Sequence, residues 1–344
     1  MMKIVCFSTL STGLVPINYA LESGVQISKI IGLNPESVND LEKISGYVDI
    51  AEFCNTKGIN YSYVDKYNLE GESPEDLLGS AEVVWVNAWQ RLLPIDFVNY
   101  PKLGVIGAHG SCDGITKGRG RSPQNWAILI GADNFKISLF RISEGIDNGA
   151  VITTEQFPIE INDTILTSYL KSGISCASGI KKITDNSELI DHAVPQLDNP
   201  EYFPKRVPDD GFIDWNMSVV DIYNQIRALS DPYPNARTIL NGNTVLINKA
   251  MYLDYDLGCP GEIIYKYQTG EIVVACGKGS LIIEECNFED HPNKPEINIG
   301  TLFESISMKL TVKNILERFN SEFPSKELNK SLKNFWRERG LLDE

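Results

Sequence analysis

The sequence predicts an α/β protein: a Rossmann-like, mostly parallel sheet, then a small OB-like β-barrel domain and a helical C-terminal tail. In the first half, short apolar runs alternate with segments of helical period, which is typical of strand–helix–strand units. These runs are apolar throughout, as expected for strands that are covered by helices on both faces. After about residue 230 the pattern changes to short strands separated by glycine turns, which favours a small barrel.

The first domain is predicted to span residues 1–190. Its long helix at 164–186 closes the domain, and earlier helices lie at 12–24 and 37–58, each with apolar positions at helical spacing. Predicted strands occupy 3–8, 25–33, 59–64, 83–88, 103–109, 136–142 and 150–159.

The second half divides into a predicted β-barrel domain at 205–292 and a helical tail at 296–344. A connector rich in proline and aspartate, residues 193–211, marks the boundary, and a helix at 218–229 follows it. Strands are predicted within 237–253, 261–267, 270–277 and 279–288, and amphipathic helices within 299–323 and 326–340. The tail either covers the second domain or forms a homo-oligomer contact, and the sequence does not choose between them.

Composition excludes several classes of protein. The chain has 344 residues and a formal net charge of −15, which disfavours a nucleic-acid partner. No apolar run is long enough to span a membrane. The seven cysteines form no CxxC pair, which predicts reduced thiols in the cytoplasm, no disulfide framework and no metal. The segment after the first strand, "STLSTG", is not a GxGxxG fingerprint, so a pyridine-nucleotide oxidoreductase is a disfavoured alternative.

His109, one of three histidines, is the last residue of a predicted strand, and a glycine-rich, basic loop follows it. In an open α/β sheet this end of a strand is the edge that binds ligands. Asp147 follows a later strand in "IDNG", a turn that presents its carboxylate. An imidazole with a carboxylate is the smallest proton-transfer unit, although either residue is also common in a structural role.

Three linked blocks occur in one order: "WQRLLP" at 89–94, "HGS…RGRSPQNWAILIG" at 109–131 and "ISLFRISEGIDNGAVI" at 137–152. Together they resemble the formyl-tetrahydrofolate-dependent formyltransferases, the family of methionyl-tRNA formyltransferase and the nucleotide-sugar N-formyltransferases. Residues 208–236 resemble the start of that family's C-terminal domain. The likeness covers roughly residues 3–290 and leaves the last 50 residues unmatched.

The resemblance implies formyl transfer from N10-formyltetrahydrofolate, the co-substrate, to an amine, without a metal. His109 would accept the amine proton as general base, and Asp147 would orient the imidazole and support its charge. Donors in a dry cleft would stabilise the oxyanion. The residues implied to bind the folate are Trp89, Gln90, Arg91, Leu92, Leu93, Glu144 and Asp147.

The chain departs from the family pattern in two places. Gly107 stands where the family carries an asparagine that stabilises the oxyanion. The loop "HGSCDGITKGRG" is about two residues longer than the family's and lacks its Leu-Leu and Pro. Either Ser111, a backbone N–H or Asn87 replaces the asparagine, or the enzyme is slow. Gly107 would alternatively make room for a differently shaped acceptor.

The predicted acceptor is a nucleotide-linked amino sugar of a surface-polysaccharide pathway. Its phosphates would contact Arg119, Arg121 or the loop that contains Ser8 and Thr9. The cluster "KGRGR" at 117–121 would equally bind the folate's glutamate tail or be a solvated loop. Methionyl-tRNA is the second candidate acceptor, and a degraded protein that only binds folate is the third reading.

Overall fold

The computed structural model describes residues 2–36, 44, 46–289 and 296–343. Its first part contains eight strands and six helices among the described residues. The strands are β1 (Ile4–Phe7), β2 (Ile27–Leu33), β3 (Asn60–Val64), β4 (Val83–Val86), β5 (Gly104–Ser111), β6 (Arg119–Gly120), β7 (Asn134–Arg141) and β8 (Val151–Pro158). The helices are α1 (Ser11–Glu22), α2 (Ala51–Lys57), α3 (Pro74–Leu78), α4 (Ile95–Asn99), α5 (Pro123–Leu129) and α6 (Ile165–Asp185).

The predicted mostly parallel sheet is confirmed. Seven strands pair in the order β3-β2-β1-β4-β5-β7-β8; the first five run parallel, and β7 and β8 are antiparallel additions. Strand order reverses at β1, so the carboxyl ends of β1 and β4 flank the switch point at which such sheets bind ligands. Strand β5 continues past its pairing with β4 along β7, which carries His109 beyond the parallel part of the sheet.

The helix predicted at 37–58 is wrong over much of the segment that can be described. Residues 37–43 and 45 lie outside the described residues, and the helix there is α2, Ala51–Lys57. Before it, the Asp49 carboxylate accepts a hydrogen bond from the Ala51 N–H, and Tyr47 bridges to Leu10. The apolar spacing at 44–50 therefore serves loop side chains that cover the end of β1, which a helical period does not distinguish.

The second part contains a five-stranded antiparallel sheet packed on a helix. Its strands pair in the order β10-β11-β14-β13-β12, and α8 (Val219–Leu229) lies against them. The strands are β10 (Ala236–Leu240), β11 (Asn243–Leu253), β12 (Ile263–Lys266), β13 (Ile272–Ala275) and β14 (Ser280–Phe288), after a short helix α7 (Glu188–Asp191) and strand β9 (Glu201–Phe203).

The OB-like barrel is not confirmed. In the described part of the chain the edge strands β10 and β12 do not pair with each other. Glu304 makes a single bridge to Ile239 and Leu302 one to Glu262, so an irregular segment covers both edges without closing a barrel. The predicted boundaries at 292 and 296 lie within or next to residues 290–295, which are outside the described residues. The division into three domains stays a prediction.

The tail forms the expected helices, α9 (Met308–Glu322) and α10 (Lys330–Glu338), with a short strand β15 (Glu327–Leu328) between them. They pack on the first half of the chain: Trp336 meets the ring of Trp126 edge-on at 5.9 Å, and Trp126 stacks on Phe203 at 6.4 Å. Strand β15 pairs with β9, which pairs with β6.

A buried ion pair is the second attachment of the tail to the rest of the protein. Asp210 is almost fully buried, and its carboxylate lies 2.5 Å from the guanidinium of Arg318 on α9. Arg206 beside it lies over the Trp126 ring at 5.1 Å and donates to the Asp210 carbonyl. Burial lowers the pKa of Arg206 to about 10, which leaves it charged at neutral pH.

No helix in the described ranges is long and apolar enough to span a bilayer.

Candidate active site

His109 and Asp147 come together as the sequence predicted. The imidazole Nδ1 of His109 lies 3.4 Å from a carboxylate oxygen of Asp147; the two side chains are 13% and 31% exposed. His109 pairs with Ser138 of β7, and the turn after β7 brings Asp147 to its imidazole. Asp147 adopts φ of 50°, a left-handed conformation that aspartate tolerates better than most residues.

The other ring nitrogen of His109 is engaged by the loop that follows β5. Nε2 lies 2.8 Å from the backbone carbonyl oxygen of Gly118. Both nitrogens therefore face oxygen acceptors, and a neutral imidazole, which carries one N–H, donates to only one of them. To accept a proton at Nε2, the ring must exchange the Gly118 carbonyl for the substrate amine.

The position of the family asparagine is physically filled. A Cβ added at Gly107 would lie 3.1 Å from two side-chain carbons of Ile142 and 3.2 Å from the Phe140 ring. Gly107 itself is buried. The glycine thus goes with neighbouring side chains that occupy the space of an asparagine, rather than with an open cavity.

Ser111 contacts its own loop. Its side chain is fully buried, and its hydroxyl oxygen accepts a hydrogen bond from the Asp113 N–H at 3.2 Å. Gly118 packs directly on it, since a Cβ there would lie 1.7 Å from the Ser111 hydroxyl oxygen. These contacts shape the loop, and a catalytic role for Ser111 stays a prediction.

Asn87, the other predicted substitute for the asparagine, is buried at the end of β4. Its amide nitrogen donates to the Gly13 carbonyl at 2.8 Å. A Cβ at Gly13 would lie 2.4 Å from the Ser8 hydroxyl oxygen and 2.7 Å from Ala88, so helix α1 approaches the sheet unusually closely here. This hydrogen bond anchors α1, and oxyanion stabilisation by Asn87 stays a prediction.

The segment predicted to bind folate has one buried and one exposed part. The Trp89 ring packs edge-on between Phe7 at 5.2 Å and Tyr67 at 4.8 Å. The backbone N–H of Gln90 donates to the Tyr67 hydroxyl, and the Arg91 guanidinium lies 5.1 Å from the same ring.

The exposed part offers apolar surface next to a groove. Leu92 is 68% exposed, as is Ile146 beside Asp147, while Leu93 is half-buried. A groove of about 560 Å³ lies between the α4 segment and the turn after β7, with apolar lining from Ile95 and Ile142 and polar lining from Lys102, Arg141 and Glu144. Of the residues predicted to bind the folate, Glu144 lines this groove.

The residues predicted to bind the substrate do not share one environment. Ser8 and Thr9 are fully buried, and their hydroxyl oxygens have no partner among the described residues, so a contact with the substrate stays a prediction. Gly13 of α1 approaches the Ser8 hydroxyl closely. Arg121 is exposed, and Arg119 is half-buried with its Nε unpartnered among the described residues.

Gln196, which sequence reasoning missed, joins the parts of the site. Its amide nitrogen donates to the carbonyls of Asp147 at 2.8 Å and Gly149 at 2.9 Å. Its amide oxygen accepts from Arg119 at 2.8 Å and Thr116 at 3.1 Å. The residue lies in the irregular connector, where no periodicity or motif identifies it.

Gln196→Glu is expected to lower kcat/KM for formyl transfer about 10-fold or more, since a carboxylate keeps the contacts with Arg119 and Thr116 but repels the two carbonyls. Loss of two hydrogen bonds of about 1 kcal/mol each corresponds to that range. Steady-state kinetics measure it, with the exposed Gln268→Glu as the matched control. Unchanged kinetics in Gln196→Glu would remove Gln196 from the site.

The thiols and carboxylates offer no alternative chemistry in the described ranges. No three His, Cys, Asp or Glu side chains group there as a metal site requires. None of the seven cysteines, all within the described residues, forms a disulfide, and Cys112 lies in the loop after β5. Burial and the Asp113 carboxylate raise the pKa of Cys112 to about 12, so this thiol is protonated at neutral pH.

Two family descriptions match the chain, "Formyl transferase" at residues 34–172 and "Formyl transferase, C-terminal domain" at 206–303. The bifunctional polymyxin resistance protein ArnA of Wigglesworthia glossinidia brevipalpis is 30% identical over 239 residues, which are 68% of this chain and 35% of that protein. The methionyl-tRNA formyltransferase of Pelotomaculum thermopropionicum is 30% identical over 216 residues, 61% of this chain and 67% of that one. The chain thus spans about a third of the ArnA relative.

Solved structures share the fold. HypX from Aquifex aeolicus in complex with tetrahydrofolic acid matches with a TM-score of 0.59 at 16% identity, over 95% of this chain and 48% of that one. WlaRD, a sugar 3N-formyl transferase solved with dTDP and 5-N-formyl-THF, matches with a TM-score of 0.52 at 20% identity, over 85% of this chain and 99% of that one. At these identities the likeness concerns the fold alone.

Proposed function

Because the chain belongs to the formyl transferase family, we propose that it moves a formyl group from N10-formyltetrahydrofolate to the amine of a nucleotide-linked amino sugar. The contact between His109 and Asp147 at the end of β5 carries this proposal. Both side chains are partly exposed, so a substrate reaches them, and the pair supplies the proton transfer that amine formylation requires.

In the proposed reaction the amine attacks the formyl carbon and must lose a proton. His109 accepts that proton at Nε2 after the Gly118 carbonyl gives way, and Asp147 stabilises the resulting imidazolium through Nδ1. The proton then passes to the departing nitrogen of the folate, so the products are tetrahydrofolate and the formylated amine. Asp147 is held for this role by its backbone carbonyl, which accepts from Gln196.

Negative charge develops on the formyl oxygen and needs a hydrogen-bond donor. Gly107 offers no side chain. The Asn87 amide already donates to the Gly13 carbonyl, so a hydrogen bond from Asn87 to the formyl oxygen would compete with the one that anchors α1. Asn87 or a backbone N–H remains the proposed donor. The groove beside Glu144, with the exposed Leu92 and Ile146 near it, supports a folate site. HypX and WlaRD, which share the fold, were solved with folates.

The amino-sugar acceptor is supported by charge. A net charge of −15 repels the phosphate backbone of a tRNA, whereas the exposed Arg121 and the partly satisfied Arg119 suit one diphosphate. WlaRD, solved with dTDP, shares the fold. Methionyl-tRNA is the second candidate because the methionyl-tRNA formyltransferase of Agathobacter rectalis is 25% identical over 84% of this chain.

The test is release of tetrahydrofolate with dTDP-, UDP- and GDP-linked amino sugars and with methionyl-tRNA, in the wild type and in Asp147→Asn. Turnover with one sugar that falls at least 10-fold in Asp147→Asn is the expected result. Turnover only with methionyl-tRNA would move the assignment to the second candidate. Folate binding without turnover of any acceptor would favour a protein that only binds folate.

A further inference from the structure

The C-terminal tail contacts the loop that covers His109. Asn329, the N-cap of α10, is fully buried, and its amide nitrogen donates to the Asp113 carboxylate at 2.9 Å and to the Lys117 carbonyl at 2.7 Å. Its amide oxygen accepts from the Leu332 N–H at 2.8 Å, which caps the helix. One side chain thus begins α10 and holds both ends of the loop segment 113–117.

Neighbouring residues add to this attachment. The Ser331 hydroxyl donates to the second carboxylate oxygen of Asp113 at 3.0 Å. Lys117 forms an ion pair with Glu201 at 2.9 Å, and Glu201 also accepts from the Lys330 N–H. The first turn of α10 thus binds the Asp113 carboxylate and the Lys117 carbonyl directly, and Glu201 links it to the Lys117 ammonium, which also donates to the Asn199 carbonyl.

The loop so held ends at Gly118, whose carbonyl contacts His109, and continues into Arg119, which contacts Gln196. The matched family descriptions end at residue 303, before α9 begins at Met308, so α9 and α10 lie outside the matched ranges. The loop beside His109 is therefore held by a part of the chain that these descriptions do not cover.

We propose that the tail is part of the active site, and that Asn329 is a positioning residue that holds the 112–118 loop against His109. This proposal rests on the proposed function for its catalytic consequence, but the attachment itself is testable without turnover. Release of the loop would displace Arg119 from its place beside Gln196, whose amide holds the backbone of Asp147. A displacement of about 1 Å near reacting groups is enough to cost up to 100-fold in rate.

Asn329→Asp is the discriminating variant, because aspartate still caps α10 but donates no hydrogen bond to Lys117 and repels Asp113. Asn334→Asp, exposed on the same helix, is its matched control. Cys112 inside the loop is the reporter: iodoacetamide labelling at pH 8, followed by mass spectrometry, is expected to be at least 10-fold faster in Asn329→Asp than in the wild type or the control.

The second reporter is the imidazole itself. In protein labelled with ¹⁵N-histidine, the Nε2 signal of His109 is expected to shift in Asn329→Asp while that of His192 does not. The kcat/KM for the acceptor is expected to fall about 10-fold, with folate affinity unchanged, and Asp113→Asn in the same chain should recover part of it. Ser331→Ala, which removes one hydrogen bond, carries the same test if Asn329→Asp fails to fold.

Unchanged Cys112 labelling and an unchanged His109 signal would overturn the proposal. Faster labelling with unchanged turnover in an active enzyme would also overturn it, because the position of the loop would then not matter. If the wild type turns over no acceptor, the labelling and the His109 signal still decide whether the tail holds the loop, and the failure belongs to the proposed function alone.

Discussion

His109→Gln is expected to lower kcat for formyl transfer by about 10²–10⁴-fold while the protein stays folded. Glutamine retains an N–H donor for the Gly118 carbonyl, but it takes up no proton and gives Asp147 no charge to stabilise. Steady-state release of tetrahydrofolate measures the effect, and thermal unfolding checks the fold. The loss is expected in kcat rather than in KM, because the proton moves only in the transition state.

His192→Gln is the matched control. His192 is exposed, and its ring contacts the Glu188 carbonyl at 2.7 Å. This variant should keep wild-type turnover. A His109→Gln variant that retains more than a tenth of the wild-type kcat would show that another group accepts the amine proton.

Gly107→Asn, which restores the family asparagine, is expected to destabilise the protein by about 1–3 kcal/mol and to bring no gain in turnover. A Cβ at this position lies 3.1 Å from Ile142 and 3.2 Å from Phe140, so these side chains must shift by a few tenths of an ångström to admit it. Urea denaturation measures the free energy of unfolding, and the tetrahydrofolate assay measures turnover.

Combining Gly107→Asn with Ile142→Ala tests the same steric account. In the double variant the smaller side chain makes room for the asparagine, so the two stability losses are expected to be less than additive. The double variant should also turn over faster than Ile142→Ala alone, because a placed oxyanion donor contributes about 10²–10³ in comparable sites. A Gly107→Asn variant as stable as the wild type would refute the steric account.

The sequence predicted those parts of the molecule that depend on local pattern. Most strands of the sheet were apolar because both faces are covered, and His109 lies near the end of one of them, β5. The same local rules failed at 44–50, where apolar residues cover the end of β1 from a loop. Local pattern also did not indicate that Ser8 and Thr9 are fully buried, and their contact with a substrate stays a prediction.

The unpredicted site residues are those whose partners are distant along the chain. Gln196 contacts Asp147 across 49 residues, and Asn329 contacts Asp113 across 216. Neither is a residue type that signals chemistry, and each lies in or beside an irregular segment. Their function comes from the tertiary structure that brings several backbone groups around one amide.

The three-stranded sheet β15-β9-β6 also sets the order of events during synthesis. Strand β6 begins the region after the His109 loop, yet its sheet is complete only when β15 arrives, and Ser331 follows Asp113 by 218 residues. At 5–20 residues per second, the ribosome needs roughly 10–40 s to cover that interval. For that time the nascent chain carries His109 without the contacts by which α10 supports the 112–118 loop. Under the proposed roles of His109 and Asn329, formyl transfer then waits for the synthesis of α10, and an earlier nascent chain does not consume formyl donor.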